Sequence, residues 1–548
     1  MKKKRKMTVN NINTAEQINS CSLGGICGGC FYTQAAENAA EPCTYQKQLD
    51  EKNKRVRDLL TEAAAAYDYD FDYEGIIPSP LIFGYRNKME YSFGDCMKNG
   101  PLTLGLHKKR SFYDVIDVDS CQLVHNDCNL VVKSAAEYFR ELGLTYNDKR
   151  QHLGYLRYLI IRRAVNTGEM LVDLVTTSQP LIPVENHMDI CREELYDREA
   201  WAIGERKPAD GVMTLDEETV LREFADRLVS LSETDEFEGE IKGILHTYND
   251  ALADAVRNDG TVVLYGEDHI SEELLGLKFR ISPFSFFQTN SKGAEVLYSK
   301  VREYIINELK PDMSIFDLYS GTGTIAQMLA PCVREVTGVE IIAEAVEAAK
   351  LNAAANGLDN CHFIADDVLK ALDSLPSPDG IILDPPRDGV NPKALRKIID
   401  YNVKNMIYVS CKPESLARDM AMLQEAGYRL IKAAAVDQFP WTKNVETVCL
   451  LSKLHEAKHH VNVRLDMDEL DLTAAESKAT YEEIKSYVAE HYDGMKVSNL
   501  YIAQVKAKNG IIERENYNKP KSDDARQPKC PKEKEEAIAD ALRYFQMI

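Results

Sequence analysis

At 548 residues the chain is too long for one hydrophobic core and predicts three or four domains of about 100–200 residues each. The composition is 44% hydrophobic and 28% charged, the basic start Met1-Lys2-Lys3-Lys4-Arg5-Lys6 is followed by polar Asn10-Asn11-Ile12-Asn13, and no run nears the roughly 20 apolar residues of a membrane span, so neither a signal peptide nor a membrane span is expected and the cytoplasm is the expected location. The net charge of −21 argues against a nucleic-acid partner only on average: residues 183–242 hold 18 acidic and 7 basic side chains, a net of −11, and a polyanion responds to fields within a Debye length of about 8 Å.

Residues 1–50 read as a loop carrying Cys21, Cys27, Cys30 and Cys43. Cysteines this frequent in a chain without export signals predict metal binding or chemistry rather than a disulfide framework. A helix over 45–66 leads into a β-rich region, 51–290, with strand-like alternation at 85–93, 103–106, 156–165 and 170–176. The acidic segment 183–242, whose helical periodicity is intermittent, is expected to elaborate the surface of that region. From about 291 to 454 helices and strands alternate: a helix over 293–309, a strand over 314–318, a glycine loop and a helix, a strand over 335–340, a helix through 356 and a strand over 362–365. Short buried strands follow at 380–383 and 406–409, then two late strands at 428–435 and 447–454. This alternation predicts a mostly parallel sheet covered on both faces. The tail 455–548 is charged and helical; 480–492, a turn at Asp493-Gly494 and 498–508 predict two short helices in helix-turn-helix order, with Lys506 and Lys508 on a charged face.

Three features carry chemistry. Cys411 closes the apolar run Met406-Ile407-Tyr408-Val409-Ser410 and is followed by Lys412-Pro413, so a strand delivers a thiol to its carboxyl end, where an open α/β sheet presents a nucleophile to a ligand crevice. Asp317-Leu318-Tyr319-Ser320-Gly321-Thr322-Gly323-Thr324 joins a strand to a helix; its glycines let the backbone pass beneath a ligand, and Glu340 ends the next strand where ribose hydroxyls can donate to it. That loop alone fits either a nicotinamide cofactor or S-adenosylmethionine. Asp317, which suits a cationic sulfonium better than a pyrophosphate, and the strand end Leu383-Asp384-Pro385-Pro386-Arg387 favour the methyl donor.

Together with Ser282-Pro283-Phe284-Ser285-Phe286-Phe287-Gln288-Thr289-Asn290 and Phe439-Pro440-Trp441-Thr442-Lys443-Asn444-Val445-Glu446-Thr447-Val448, these motifs resemble, in order, those of RNA 5-methyluridine methyltransferases. Cys21, Cys27 and Cys30 with the later Cys121 are similar to the iron–sulfur-binding members, typified by 23S rRNA (uracil-5-)-methyltransferase, and the likeness spans residues 21 to about 454. The resemblance implies an α/β fold: a Rossmann-like class I methyltransferase domain with a mostly parallel sheet and a late antiparallel strand, beside a β-rich α+β central domain, an N-terminal iron–sulfur loop and a helical C-terminal extension. It implies methylation of C5 of a uridine in RNA, above all 23S rRNA, with S-adenosylmethionine as donor. Cys411 matches the nucleophile that adds to uracil C6 and Glu446 the base that removes the C5 proton. Gln288, Tyr319, Gly321, Gly323, Glu340 and Asp384 match donor-binding positions, and Cys21, Cys27, Cys30 and Cys121 match the ligands of a [4Fe–4S] cluster. Asn444 departs from the pattern, standing where many members have histidine.

The cysteine spacing itself leaves the fourth ligand open between Cys43 and Cys121, and the centre open among an iron–sulfur cluster, zinc and a redox Cys-x-x-Cys pair. Its expected task is to staple the N-terminal loop to the central domain. Lys412 is expected to orient the nucleotide or to lower the Cys411 pKa by its charge. Tyr85-Arg86-Asn87-Lys88, His107-Lys108-Lys109-Arg110 and Arg157 with Arg162-Arg163 are expected to hold RNA, whose target base must leave its stack. Many relatives carry a small RNA-binding β-barrel ahead of the cysteine motif, and the tail 455–548 is expected to supply some of that affinity. No membrane and no obligate protein partner is expected. The competing readings are a tRNA T-loop uridine methyltransferase, a non-catalytic ribosome-assembly factor, against which Cys411, Glu446 and Asp384 all speak, and a nicotinamide oxidoreductase, which Asp384-Pro385-Pro386 disfavours.

Overall fold

Thr44 ends the loop before the first long helix by accepting the Lys47 amide on its hydroxyl, which releases α1 (Tyr45–Ala65) with one stripe of buried side chains that includes Val56 and Leu60. The computed structural model describes residues 21–32, 43–98, 100–184, 192–197, 200, 205–308, 312–453, 481–492, 495–509, 530–545 and 547. It divides into two units, Met1–Glu456 and Ala457–Ile548.

After α1 and β1 (Asp72–Ile77), the first unit builds β2 (Lys88–Gly94), β3 (Thr103–His107), β4 (Val115–Asp117), α2 (Asn126–Glu141), β5 (Leu156–Arg163), β6 (Glu169–Thr176), α3 (Glu217–Ser232), β7 (Glu240–Tyr248) and β8 (Gly260–Gly266). A tight hairpin, β9 (Ile270–Leu274) and β10 (Leu277–Ile281), is followed by α4 (Ser291–Glu308), β11 (Ser314–Leu318), α5 (Thr324–Leu329), β12 (Glu335–Glu340), α6 (Ala343–Ala355), β13 (Cys361–Ala365), α7 (Val368–Ala371) and β14 (Gly380–Leu383). The unit closes with α8 (Pro392–Asp400), β15 (Asn405–Ser410), α9 (Pro413–Glu425), β16 (Tyr428–Val436) and β17 (Glu446–Lys453).

The alternating half folds into an eight-stranded sheet, order β1-β16-β17-β15-β14-β11-β12-β13. All its neighbours are parallel except β17, which runs antiparallel to both β15 and β16, so the expected mostly parallel sheet with a late antiparallel strand is present. One difference concerns the segment before it. Residues 51–77 were expected at the start of the central domain, yet β1 pairs in parallel with β16, Asp72 against Lys432, and Val56 and Leu60 of α1 share a core with Leu416, Met420 and Leu423 of α9. The chain closes this sheet's outer edge before it makes the central domain.

The other sheet has seven strands, order β4-β3-β2-β5-β6-β7-β8. Its only parallel pair is β6 with β7, and a parallel neighbour needs a crossover, which α3 provides. This corrects the expectation for the acidic segment. Asp216 caps α3 by accepting the Thr219 amide, and Val220, Leu221, Phe224, Ala225 and Leu228 pack into the same core as Phe139 of α2 and Leu159 of β5. Glu218, Glu223 and Asp226 lie on the exposed face. Of the segment's 18 acidic residues, Glu217, Glu218, Glu223 and Asp226 lie on this amphipathic helix, and β7 starts within the same segment, so residues 216–242 build the central domain rather than elaborate its surface. Residues 185–191, 198–199 and 201–204 of it lie outside the described residues.

The second unit holds α10 (Tyr481–His491), α11 (Asn499–Lys508) and α12 (Lys532–Tyr544), a third helix beyond the two expected. Ile484, Val488, Ile502, Val505, Ala537, Ile538, Ala541 and Leu542 form its own core. Lys506 is buried rather than on a charged face, and Lys508 pairs with Glu535. The turn expected at Asp493-Gly494 lies outside the described residues.

Candidate active site

The sheet order reverses at β11: β12 and β13 lie to one side and β14 and β15 to the other. In open α/β sheets the crevice at the carboxyl ends of such strands is where ligands bind. Here it is a cleft of about 1580 Å³ lined by Gln288, Tyr319, Gly321, Glu340, Asp384, Cys411 and Glu446, as well as Asp317. Seven of the eight site residues expected for catalysis and donor binding therefore line one cleft. Gly323 does not: it lies beneath the loop, where φ is 71° and an added Cβ would meet the Phe363 ring at 2.4 Å, so both backbone and packing require glycine.

Gly321, at φ 54°, and Tyr319, at φ 67°, bend the loop after β11 around the cleft. Glu340 holds this bend. Its two carboxylate oxygens accept the amides of Gly321 at 3.0 Å and Ile342 at 2.9 Å, so the donor loop and the end of β12 are fixed by one side chain. Asp317 accepts the Ala326 amide at 3.0 Å through one oxygen, while its other oxygen has no protein partner. A buried carboxyl with a spare oxygen suits a cationic ligand.

The antiparallel strand assembles the chemistry. β17 pairs with β15 so that Thr447 faces Ser410 and Val448 faces Val409. Cys411 and Glu446 each stand next to the last of these pairs, Ser410 with Thr447. Burial, then the Asp384 charge, pushes the Glu446 carboxyl up to about 8. Burial pushes Asp384 up to about 7, and burial together with Asp384 raises Asp317 to about 8. Burial, Glu446 and Asp384 raise the Cys411 thiol to about 11, against a lowering by Arg387. The cation that lowers the thiol most is thus Arg387. Lys412 sits before α9, with its amide donating to Ser410 Oγ at 3.2 Å.

Sequence reasoning missed Tyr298. It is buried on α4 and lines the cleft, hydrogen-bonded to Gln288, with its ionisation suppressed by burial and by Asp384, Glu446 and Asp317. Nothing local marks it, because it looks like any inward tyrosine of a helix. Asn444 lines the cleft too and accepts from the Arg387 guanidinium at 3.3 Å.

Cys21, Cys27, Cys30 and Cys121 line a second cavity, of about 650 Å³, to which Cys43 does not contribute. The loop bearing the first three is sewn to β3 and to the catalytic side: Cys27 pairs with Lys108, the Gly28 amide donates to the His107 carbonyl at 3.2 Å, and the Phe31 amide donates to the Trp441 carbonyl at 2.8 Å. Four thiols around one cavity are a donor set suited to a soft metal centre. Among the described residues, however, no three Cys, His, Asp or Glu side chains stand close enough together to hold a metal ion. Of the expected RNA-holding residues, Tyr85, Asn87, Arg157, Arg162 and Arg163 are buried: Arg157 donates to the Asn249 carbonyl at 2.7 Å, Arg162 to the Pro283 carbonyl at 3.0 Å and Arg163 to the Asp127 carboxylate at 2.8 Å, so these arginines build the fold, with Arg162 also lining the four-thiol cavity.

This strand order, with a glycine loop and an acidic strand end at the switch point, defines a class I S-adenosylmethionine-dependent methyltransferase. A family model described as tRNA (uracil-5-)-methyltransferase matches residues 255–454. An uncharacterized RNA methyltransferase of Clostridium acetobutylicum is 43% identical over 82% of this chain and 87% of its own length. One from Caldanaerobacter subterraneus subsp. tengcongensis is 43% identical over 79% of this chain and 84% of its own. Among solved structures, the tRNA (uracil-54, C5)-methyltransferase of Pyrococcus abyssi in complex with S-adenosyl-L-homocysteine aligns with a TM-score of 0.55 and 25% identity, covering 75% of this chain and 84% of that one. The chain belongs to the RNA methyltransferase family of these relatives and is an S-adenosylmethionine-dependent RNA (uracil-5-)-methyltransferase.

Proposed function

We propose that the enzyme methylates C5 of a uridine in 23S rRNA through a covalent adduct on Cys411. The observation that carries the mechanism is that Cys411 and Glu446, each next to the last β15–β17 pair, Ser410 with Thr447, line one cleft beside the donor loop. Uracil C5 is a poor nucleophile. Cys411 Sγ adds to C6, and the resulting enolate makes C5 nucleophilic. The bound donor supplies a methyl group on a sulfonium, which C5 takes. Glu446 then accepts the C5 proton, the C5–C6 double bond re-forms and the thiolate leaves. Gln288, Tyr319, Gly321, Glu340 and Asp384 hold the donor, and Gly323 supports the loop from below.

The raised thiol pKa has a consequence. Burial first, then Glu446 and Asp384, keeps the thiol protonated; a cationic donor beside Asp384 offsets that carboxyl's effect and favours the thiolate. Nucleophile and methyl group are then readied together.

The rRNA assignment rests on the four-thiol cavity, which is the feature that resembles the iron–sulfur-binding members. Cys21, Cys27, Cys30 and Cys121 would hold a [4Fe–4S] cluster, or zinc as the lesser reading, with the structural task of tying the N-terminal loop to β3 and the loop before β17. A second reading, tRNA, is favoured by the names of the family model and of the Pyrococcus structure.

The test uses unmodified 23S rRNA and tRNA transcripts with labelled donor, and a parallel set in which 5-fluorouridine replaces uridine. Label in 23S rRNA and a donor-dependent adduct through Cys411 on the fluorinated RNA are expected, because fluorine at C5 blocks the final proton removal. Label in tRNA alone selects the second reading. Methylation of normal RNA without an adduct on its fluorinated counterpart rejects the covalent mechanism.

A further inference from the structure

Outside the cleft, a run of cation–aromatic pairs leads away from the catalytic loop. Lys443, next to the cleft-lining Asn444, sets its ammonium 3.8 Å from the centre of the Phe31 ring, and Lys109 stands 5.7 Å from the same ring. Lys109 belongs to the turn between β3 and β4, whose far side carries Phe112 and Tyr113, with the Arg150 guanidinium 4.1 Å over Tyr113. Backbone bonds join these pieces: the Lys109 amide donates to the Ile26 carbonyl at 2.8 Å, and the Phe31 amide to the Trp441 carbonyl.

The three rings are held in solvent, with Phe112 84% exposed, Tyr113 52% and Phe31 43%. The turn is ordered. The Ser111 amide donates to the Lys108 carbonyl at 2.9 Å, Ser111 Oγ accepts the amides of Tyr113 and Asp114, and the Lys149 ammonium donates to the Phe112 carbonyl at 3.3 Å. Rings left exposed beside cations on a hydrogen-bonded turn mark an interaction surface.

We propose that Phe31, Phe112 and Tyr113, with Lys109, Arg150 and Lys443, form a stacking track for unpaired RNA nucleotides flanking the target uridine. This rests on the RNA reading given above. Cations neutralise phosphates and aromatic faces stack on bases of any sequence, the combination by which proteins bind single strands. A duplex keeps its base faces covered, and an acidic peptide has no use for the rings. The track starts one residue from the cleft wall, so a strand whose uridine enters the cleft continues onto it. In a chain with net charge −21, such a local concentration of cations has a specific place to act.

The test is fluorescence anisotropy of the full-length protein with a labelled single-stranded oligouridylate of about 12 nucleotides, and with an RNA hairpin of similar size, across a salt series. Phe31→Ala and the double change Phe112→Ala with Tyr113→Ala are each expected to weaken oligouridylate binding about 5- to 100-fold at every salt concentration, without changing the salt slope or the hairpin affinity. Lys109→Ala and Arg150→Ala are expected to reduce the salt slope by about one each. Phe31→Leu keeps bulk in the cysteine loop while removing the π-face, so it weakens binding without lowering the melting temperature. Ring variants that bind the oligouridylate like wild type, or that lose oligouridylate and hairpin equally, overturn the track. Methyl transfer is not read, so an enzyme that modifies RNA but binds oligouridylate without Phe31 sinks the track and spares the uridine reading. Phe31-dependent binding by an enzyme that modifies no RNA does the reverse.

Discussion

Two cavities share a wall made by Arg86 and Phe284 to Phe287 with Thr289, and cysteine lines both, yet one holds a single thiol among carboxyls and the other four thiols in a glycine-rich loop. In the cleft, burial first and then Glu446 and Asp384 suppress the ionisation of Cys411, while Arg387 favours it. In the second cavity, burial raises the Cys27 thiol first, and the neighbouring Cys121 and Cys21 add to it, a mutual opposition that a bound cation would relieve. The residue type is the same; its neighbours select nucleophile or ligand.

The largest expected effect separates the two cavities outright. Cys411→Ala should lower methyl transfer by at least about 10³-fold while calorimetric donor affinity stays as in wild type. Retained turnover would transfer the nucleophile's role elsewhere. Glu446→Gln should cost about 10²–10⁴-fold in turnover and, unlike the first variant, accumulate a covalent protein–RNA adduct on ordinary uridine, visible by mass spectrometry. A slow variant without adduct would place Glu446 before the methylation step instead of after it.

For the second cavity, anaerobically purified Cys27→Ser and Cys121→Ser should lose bound metal, and Cys43→Ser should keep it, as measured by elemental analysis and electronic spectra. Equal loss in the Cys43 variant would reverse the ligand assignment.

A smaller effect comes from the cleft's carboxyls. Folded Asp317 titrates near 8, whereas an unfolded aspartate does so near about 3.9. Between these values the native state binds the proton more tightly, so this group's contribution to donor-free stability is lost as pH rises toward 8. Asp317→Asn should therefore raise the donor-free melting temperature by about 2–4 °C at pH 8, with the gain fading toward pH 4. A pH-independent shift would mean that Asp317 is already ionised in the free protein. Smallest of all, Arg387→Ala should slow alkylation of Cys411 about two- to threefold near pH 8, and Lys412→Ala should leave it unchanged; the opposite ranking would restore Lys412 as the activating charge.

Much of the cleft was legible in the sequence because its parts are demands on the local backbone. Gly321 and Gly323 stand where φ is positive, Asp384 precedes two prolines, and Cys411 follows an apolar strand, so each reads from its immediate neighbours. The acidic segment misled because charge frequency hid the spacing of Val220, Leu221, Phe224, Ala225 and Leu228, which forms one buried stripe whatever the other face carries. Tyr298 acts across space on groups far along the chain, and no neighbour marks it.

By itself the sequence determined the strand–loop–helix grammar, the residue types at the strand ends and the cysteine spacing, because those depend on backbone conformation and chemistry within a few residues. Tertiary structure decided the rest. Reversal of β17 carried Glu446 to the side of Cys411, the pairing of β1 with β16 drew residues 45–77 into the catalytic sheet, and the fold placed Cys121 and left out Cys43 at the four-thiol cavity. Register between distant strands and burial of charge are set by which surfaces meet, and that is a property of the packed chain rather than of any one of its segments.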